Sequence, residues 1–307
     1  INVINDPVID NQPIATQELC QNATPIDLSV IVSGGTTSNK TYQWYDNSTN
    51  SNTGGTPIPS ANSSQYTPDT NEVGESYYYV VISQNESGCQ VTSEVATVKI
   101  NEAPEFIKQP ISSEICLNGT ATLLEVEYDK GTGTPSYQWF SNSTNTNTGG
   151  NPIDAANSSS YNPPTDNVGE KFYYAEISFD SGGCDKITSE VASVKVVEQL
   201  TINPVADAQT ICVGGTANEF QVSFSGGTGE PSYQWFSNTT NSNTGGTEIP
   251  GATNSTYTPD AFDIVDSYFF YVEVSIDGVG CNTDASEVFQ INVINDPVID
   301  NQPIATQ

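Results

Sequence analysis

The sequence predicts an all-β chain of tandem β-sandwich domains, and three observations carry that prediction. Tryptophan recurs as Trp44, Trp139 and Trp235, 95 and 96 residues apart, each time in YQWY or YQWF followed by a Ser/Thr/Asn tract and Gly-Gly. Six cysteines keep the same phase: Cys20, Cys116 and Cys212 lead the three units, and Cys89, Cys184 and Cys281 close them. Apolar residues alternate with polar ones over short runs, the pattern of half-buried strands. A longer period encloses the shorter one. INVINDPVIDNQPIATQ fills positions 1–17 and again 291–307, an offset of 290 residues. Nested repetition describes an array of domains, and units of this length match single domains.

The elements follow in order. Before each Trp, IDLSVIV sets Ile26, Leu28, Val30 and Val32 on one face, and EFQVSF sets Phe220, Val222 and Phe224 likewise. The Trp strand comes next, with Trp44, Trp139 and Trp235 as core residues. Then come YYVVIS, YYAEIS and FYVEVS. Tyr78, Val80 and Ile82 face one way, Tyr79 and Val81 the other. Glu176 and Glu273 mark the second face as outer. The closing strands place Ala96, Val98 and Ile100 inside, as they do Ala192, Val194 and Val196, and Phe289, Ile291 and Val293. Clusters of Gly, Asn, Thr, Ser and Pro separate the strands and favour turns. No stretch has a 3.6-residue period. About seven short strands around one tryptophan read as an immunoglobulin-like sandwich. The expected boundaries are 7–102, 103–199 and 200–295. Residues 1–6 would end a preceding repeat, and 296–307 would begin the next. The domains are expected to run end to end as an extended rod.

YQW, the polar tract, Gly-Gly and then ANSSQYTP, ANSSSYNP or ATNSTYTP, leading to a Tyr-rich strand and Gly-Cys, also carry a family likeness. In all three units this pattern resembles the Ig-like repeats of giant Bacteroidota surface proteins, including gliding-motility adhesins and other type IX secretion substrates. The resemblance implies a secreted, surface-attached adhesin or stalk, and no catalytic residue.

Composition narrows the function. The chain has 37 acidic residues against 7 basic ones, no histidine and a formal charge of −30. Scattered lysines without arginine cannot track phosphates, so nucleic acid is excluded as a partner. The charge repels anionic membranes and other copies of the chain, and favours solubility. No apolar segment approaches the ~20 residues that span a bilayer, and no signal peptide opens the sequence. The chain is therefore expected to be an interior window of a longer protein, with no membrane contact of its own and Glu-Leu-Cys following Gln307. Without histidine there is no Ser-His or Cys-His pair and no imidazole ligand. No acidic pair recurs at one phase in all three units, so no enzyme is expected. Glu94, Glu190 and Glu287 do recur, as outward guards of an edge strand. No cofactor is expected. The one weak cation candidate is calcium at the junctions, through Asp6, Asp10, Glu102 and Glu105, although no DxDxDG-type loop is present.

Paired cysteines in a chain of extracellular character suggest disulfides. The leading cysteine precedes the strand that enters the core, and the closing one lies at the far turn. An eight-residue strand spans ~26 Å, whereas bonded cysteines need Cα atoms within ~7 Å. That favours a ladder between consecutive units: Cys20–Cys184 and Cys116–Cys281, with Cys89 and Cys212 reaching adjacent repeats. In-unit bonds (Cys20–Cys89, Cys116–Cys184, Cys212–Cys281) and free thiols remain open.

Three further features stay open at this level. The SNSTNTNTGG tract reads as a polar hairpin connection, or else as a ligand loop, a glycan site or an ice-contact strip. Ten N-x-S/T sequons occur, among them Asn22, Asn47, Asn118, Asn142, Asn238 and Asn254. Tyr79, Tyr174 and Tyr271 stand on the outer face at one phase, where they would form an exposed contact stripe. Taken together, the residues predict a structural stalk segment on the cell surface. Its partners would be adjacent repeats, neighbouring fibres or surface glycans. The rival readings are multivalent glycan- or surface-binding repeats, and the subunit of a self-assembling filament.

Overall fold

The computed structural model describes residues 5–35, 40–84, 89–204, 208–278 and 283–300. These residues are all-β, with no helix among them, and form three tandem immunoglobulin-like domains. They cluster into two compact units. One runs up to Pro110 and adds Leu124–Tyr161 and Tyr173–Val191. The other comprises Ile111–Leu123, Asn162–Phe172 and the chain from Ala192.

In the first repeat, one sheet runs Thr16–Cys20, Ala96–Asn101, Gly74–Gln84, Lys40–Asn47 and Thr56–Pro57, with Gln90–Thr92 also paired to Gly74–Gln84. Thr16–Cys20 and Ala96–Asn101 are parallel, with Cys20 opposite Asn101. Opposing this sheet are the pairs Pro7–Asn11 with Ile31–Gly34 and Leu28–Ser29 with Gln65–Tyr66. The third repeat has the same plan, from Gln209–Cys212 beside Phe289–Ile294 to Pro231–Asn238 beside Thr247–Glu248. Of the second repeat, the first unit holds Pro135–Asn142 paired with Asn151–Pro152. The second unit holds Ser113–Cys116, parallel to Ala192–Val197.

The alternating residues form the cores. Trp44, Trp139 and Trp235 are fully buried. Each indole N–H donates to a backbone carbonyl nineteen residues on, of Ser63, Ser158 and Asn254, at 2.9 Å. That bond satisfies the one polar group the ring takes out of water. Leu28, Val30, Val80, Ile82, Ala96, Val98 and Ile100 close around Trp44. Phe220, Val222, Val272, Val274, Phe289, Ile291 and Val293 close around Trp235. Ile26, expected on the inner face, is exposed. Its backbone is held instead by Gln17, whose side-chain amide donates to the Ile26 carbonyl and accepts from its N–H.

The outer face departs from the expectation. Tyr79, Tyr174 and Tyr271 form no exposed stripe: they are 3, 2 and 1 % exposed. The polar tract after each Trp strand folds back over them. Each ring stacks on its cross-strand neighbour, Tyr45, Phe140 or Phe236, with centroids 5.0 Å apart. Each hydroxyl accepts the N–H of Gly55, Gly150 or Gly246, at 3.0–3.1 Å. A Cβ on Gly55 would lie 2.6 Å from the Asp46 carbonyl and 3.0 Å from the Tyr79 ring, so this closeness requires glycine.

Candidate functional site

The built feature is the joint between the first and second repeats, within the first unit. Thr16–Cys20 and Ala96–Asn101 end side by side, which brings Glu18, Cys20, Lys99 and Asn101 to one edge. Gly182-Gly183-Cys184 of the next repeat enters there. Cys20 and Cys184 are disulfide-bonded, with Cα atoms 4.5 Å apart. The Cys20 N–H donates to the Gly183 carbonyl at 3.2 Å. The Asn101 side-chain amide donates to the Gly182 carbonyl at 2.8 Å and to Glu18 Oε1 at 3.0 Å. Lys99 Nζ reaches the same Glu18 oxygen at 2.8 Å.

Gly183 has φ +67°, and a Cβ there would collide with the Glu18 carbonyl and lie 2.7 Å from Leu19 Cα. Only glycine lets the two backbones approach this closely. Hydrogen bonds from Lys99, then from Asn101, lower the Glu18 pKa. The bond to Glu18 raises that of Lys99.

A related contact lies within the second unit. Thr228 donates to Glu114 Oε1, Lys195 pairs with Glu114 at 3.2 Å, and the Gly227 N–H donates to the Glu198 carbonyl at 2.9 Å. The Glu114 pKa is lowered, first by the Thr228 bond and then by Lys195. Cys116 is disulfide-bonded, and Cys281 lies outside the described residues. The bond between Cys20 and Cys184 rules out the in-unit pairs Cys20–Cys89 and Cys116–Cys184. Cys212 is a half-buried thiol, so Cys212–Cys281 is not formed either. Cys89 is also a half-buried thiol.

The calcium candidates are not assembled into a site. Asp10 accepts from the Ser33 hydroxyl at 2.8 Å, and Glu105 pairs with Lys130 at 2.7 Å. Asp6 and Glu102 point to solvent. Among the described residues, no group of three or more His, Cys, Asp or Glu side chains could hold a metal ion. The sequon asparagines Asn47, Asn142 and Asn238 spend their amides inside the polar tract. Asn47 donates to the Ser51 and Thr53 carbonyls at 2.9 and 3.1 Å, and Asn142 and Asn238 do the same in their own units.

Glu94 and Glu190 are exposed, and the residue that matters beside them is the preceding serine. Ser93, Ser189 and Ser286 are buried. Each hydroxyl accepts a strand N–H, of Val80, Ala175 or Val272, and donates to the next carbonyl along the chain. Sequence reasoning passed over these serines and the Glu18–Lys99 clamp. A signal existed for the clamp. Two of only seven lysines, Lys99 and Lys195, share one phase, as do Glu18 and Glu114.

Comparison with known proteins places this geometry. A search of curated proteins finds no match. Among solved structures, titin domains I67–I69, as an E-to-A mutated variant, are similar with a TM-score of 0.53 at 14 % identity. That match covers 95 % of this chain and 100 % of that one. The eight N-terminal Ig domains of Down Syndrome Cell Adhesion Molecule isoform 1.30.30 are similar with a TM-score of 0.53 at 13 % identity, covering 95 % of this chain and 37 % of that one. At such identities the likeness concerns the fold alone. A family model, described as a domain of unknown function (DUF8696), matches residues 11–102, 109–198 and 201–295. The chain thus belongs to the DUF8696 family, which it carries as three copies in tandem.

Proposed function

We propose that this chain is a load-bearing spacer within a long extracellular surface protein. It holds a binding or anchoring region away from the cell. The observation that carries this reading is the Cys20–Cys184 bond, which ties one repeat covalently to the next beyond their peptide linker. A disulfide between domains also favours an oxidising, extracellular setting. The resemblance of the Trp-centred repeats to giant Bacteroidota surface proteins supports an adhesin stalk of the gliding-motality or type IX secretion type. Burial of the tyrosine stripe removes the most obvious adhesive surface, and the formal charge of −30 suits a solvated spacer.

Single-molecule stretching tests the reading. The oxidised chain should extend less than the fully reduced chain by at least the 164-residue loop closed by Cys20–Cys184. At 3.3–3.6 Å per residue that is roughly 540–590 Å. Equal extension in both states would sink the spacer reading.

A second reading is that the repeats themselves bind glycan. A cleft of about 520 Å³ on the first repeat favours it, lined by Tyr42, Gln43, Tyr45, Asn62, Ser83 and Gln90. Tight binding to one sugar class on a glycan array, abolished by Tyr42→Ala, would support it over the spacer.

A further inference from the structure

We propose that the cleft on the first repeat binds a carboxylate-bearing saccharide, with Lys40 as the group that meets the carboxylate. The inference rests on the glycan reading above, narrows it to one repeat and one sugar class, and leaves the spacer reading untouched. The cleft, about 520 Å³, lies over the strand Lys40–Asn47. Across the outer face Thr41 stands opposite Ser83, and Gln43 opposite Val81. Ser83 in turn stands opposite Gln90.

The polar groups here are positioned but unspent. Gln43 donates its side-chain amide to the Trp44 and Ile58 carbonyls, at 2.8 Å each. Its side-chain carbonyl oxygen is therefore the acceptor left for a ligand. The hydroxyls of Tyr42, Tyr45 and Ser83 and the side-chain amides of Asn62 and Gln90 make no hydrogen bond among the described residues. Tyr45 is held parallel to Tyr79, which fixes where its hydroxyl stands. Fixed polar groups around a partly apolar floor, here the half-buried Val81, suit a saccharide.

The sister repeats supply the charge argument. Where the first repeat has Val81, the others have Glu176 and Glu273. Where it has Lys40, they have Pro135 and Pro231, and where it has Tyr45, they have Phe140 and Phe236. Glu273 stands opposite Gln234 just as Val81 stands opposite Gln43. On this one face the first repeat has lost a carboxylate and gained an ammonium and a hydroxyl. Five of the seven lysines pair with glutamates. Among the described residues Lys40 pairs with none, its Nζ reaching the Val32 carbonyl at 3.4 Å. No described Asp or Glu lines the cleft.

An ammonium without a carboxylate partner calls for an anion. The hydroxyls and amides around it call for a polyol. A uronic or sialic acid joins both in one ring. The −30 charge of the chain opposes an anion at a distance, but salt screens it over ~8 Å at physiological ionic strength, whereas contact with Lys40 is screened much less.

Titration calorimetry on the full chain tests this, with trigalacturonate and sialyllactose as probes, each beside its methyl ester. One acid should bind, and its ester should bind about ten- to hundredfold more weakly. The two acids separate the uronic from the sialic source. Lys40→Gln should bind acid and ester alike. Val81→Glu, a residue type that the same position carries in both sister repeats, should fold and bind neither. Equal affinity for acid and ester, binding undiminished by Val81→Glu, a triglutamate peptide bound as tightly as the sugar, or no binding of either acid would overturn the proposal. A glycan array run alongside separates the two failures: neutral sugars bound there defeat this site and leave the glycan reading standing, and an array with no sugar bound defeats both.

Discussion

Tyr79 lies flat on Tyr45, with ring centroids 5.0 Å apart and planes 3° from parallel, and its hydroxyl accepts the N–H of Gly55. The same arrangement recurs as Tyr174 on Phe140 and Tyr271 on Phe236. Removing the hydroxyl alone, by Tyr79→Phe, should destabilise the first repeat by about 1 kcal/mol, the net worth of one hydrogen bond. Tyr79→Ala should cost about 3–5 kcal/mol, because it also opens a cavity under the polar tract. Chemical denaturation of the two variants measures both. An adhesive tyrosine on the surface would show neither loss.

Gly183 is the second target. Gly183→Ala places a methyl group against the Glu18 carbonyl at a left-handed φ. The backbone cost alone is about 1–2 kcal/mol, and the collision adds to it. Closure of Cys20–Cys184 should fail or slow severely, and thiol titration under denaturing conditions should find two more thiols than in the parent chain. An unchanged thiol count would show that the joint tolerates a side chain there.

The clamp should respond to pH at both ends. The Glu18 pKa is lowered in the fold, so its contribution is present above the ordinary carboxylate range. It is lost as pH falls through the depressed value. The Lys99 pKa is raised, so its share is present below the ordinary lysine value and is lost as pH rises through the elevated one. Reduction of Cys20–Cys184 by a phosphine should therefore be slowest between those limits and accelerate on acidification. Glu18→Gln should flatten the acid side. Both residues are substantially exposed, so the effect should shrink with added salt.

Burial pushes Tyr66 and Tyr173 up to about 12. Their stabilising effect is whole below the ordinary phenol value and falls away as pH rises through the elevated one. Alkaline titration followed by tyrosinate absorbance should show a late-ionising fraction that merges with the rest once the chain is unfolded in denaturant. A single ordinary transition in the folded chain would contradict the packing around Trp44 and Trp139.

The inner faces were legible because alternation states directly which side chains share a side. Leu28, Val80, Val98 and Trp44 needed nothing more. The outer face was not legible. Period-two patterning cannot say whether a loop from elsewhere will cover an outward tyrosine. The cover on Tyr79 depends on Asn52 donating to the Ser93 carbonyl, 41 residues away. Ile26 looked like a strand residue by pattern, but the strand pairing begins only at Leu28. The joint was legible in its cysteines and their spacing. Its polar clamp was written in two lysines and two glutamates that mean little until Thr16–Cys20 is laid parallel to Ala96–Asn101.

That parallel edge has a consequence for how such a chain can grow. It makes a socket at one end of the repeat, and the Gly182-Gly183-Cys184 turn is the plug of its neighbour. When both halves travel within a single module, duplicating the gene segment duplicates a complete coupling. Length can then be gained or lost by whole modules, with no new interface to evolve.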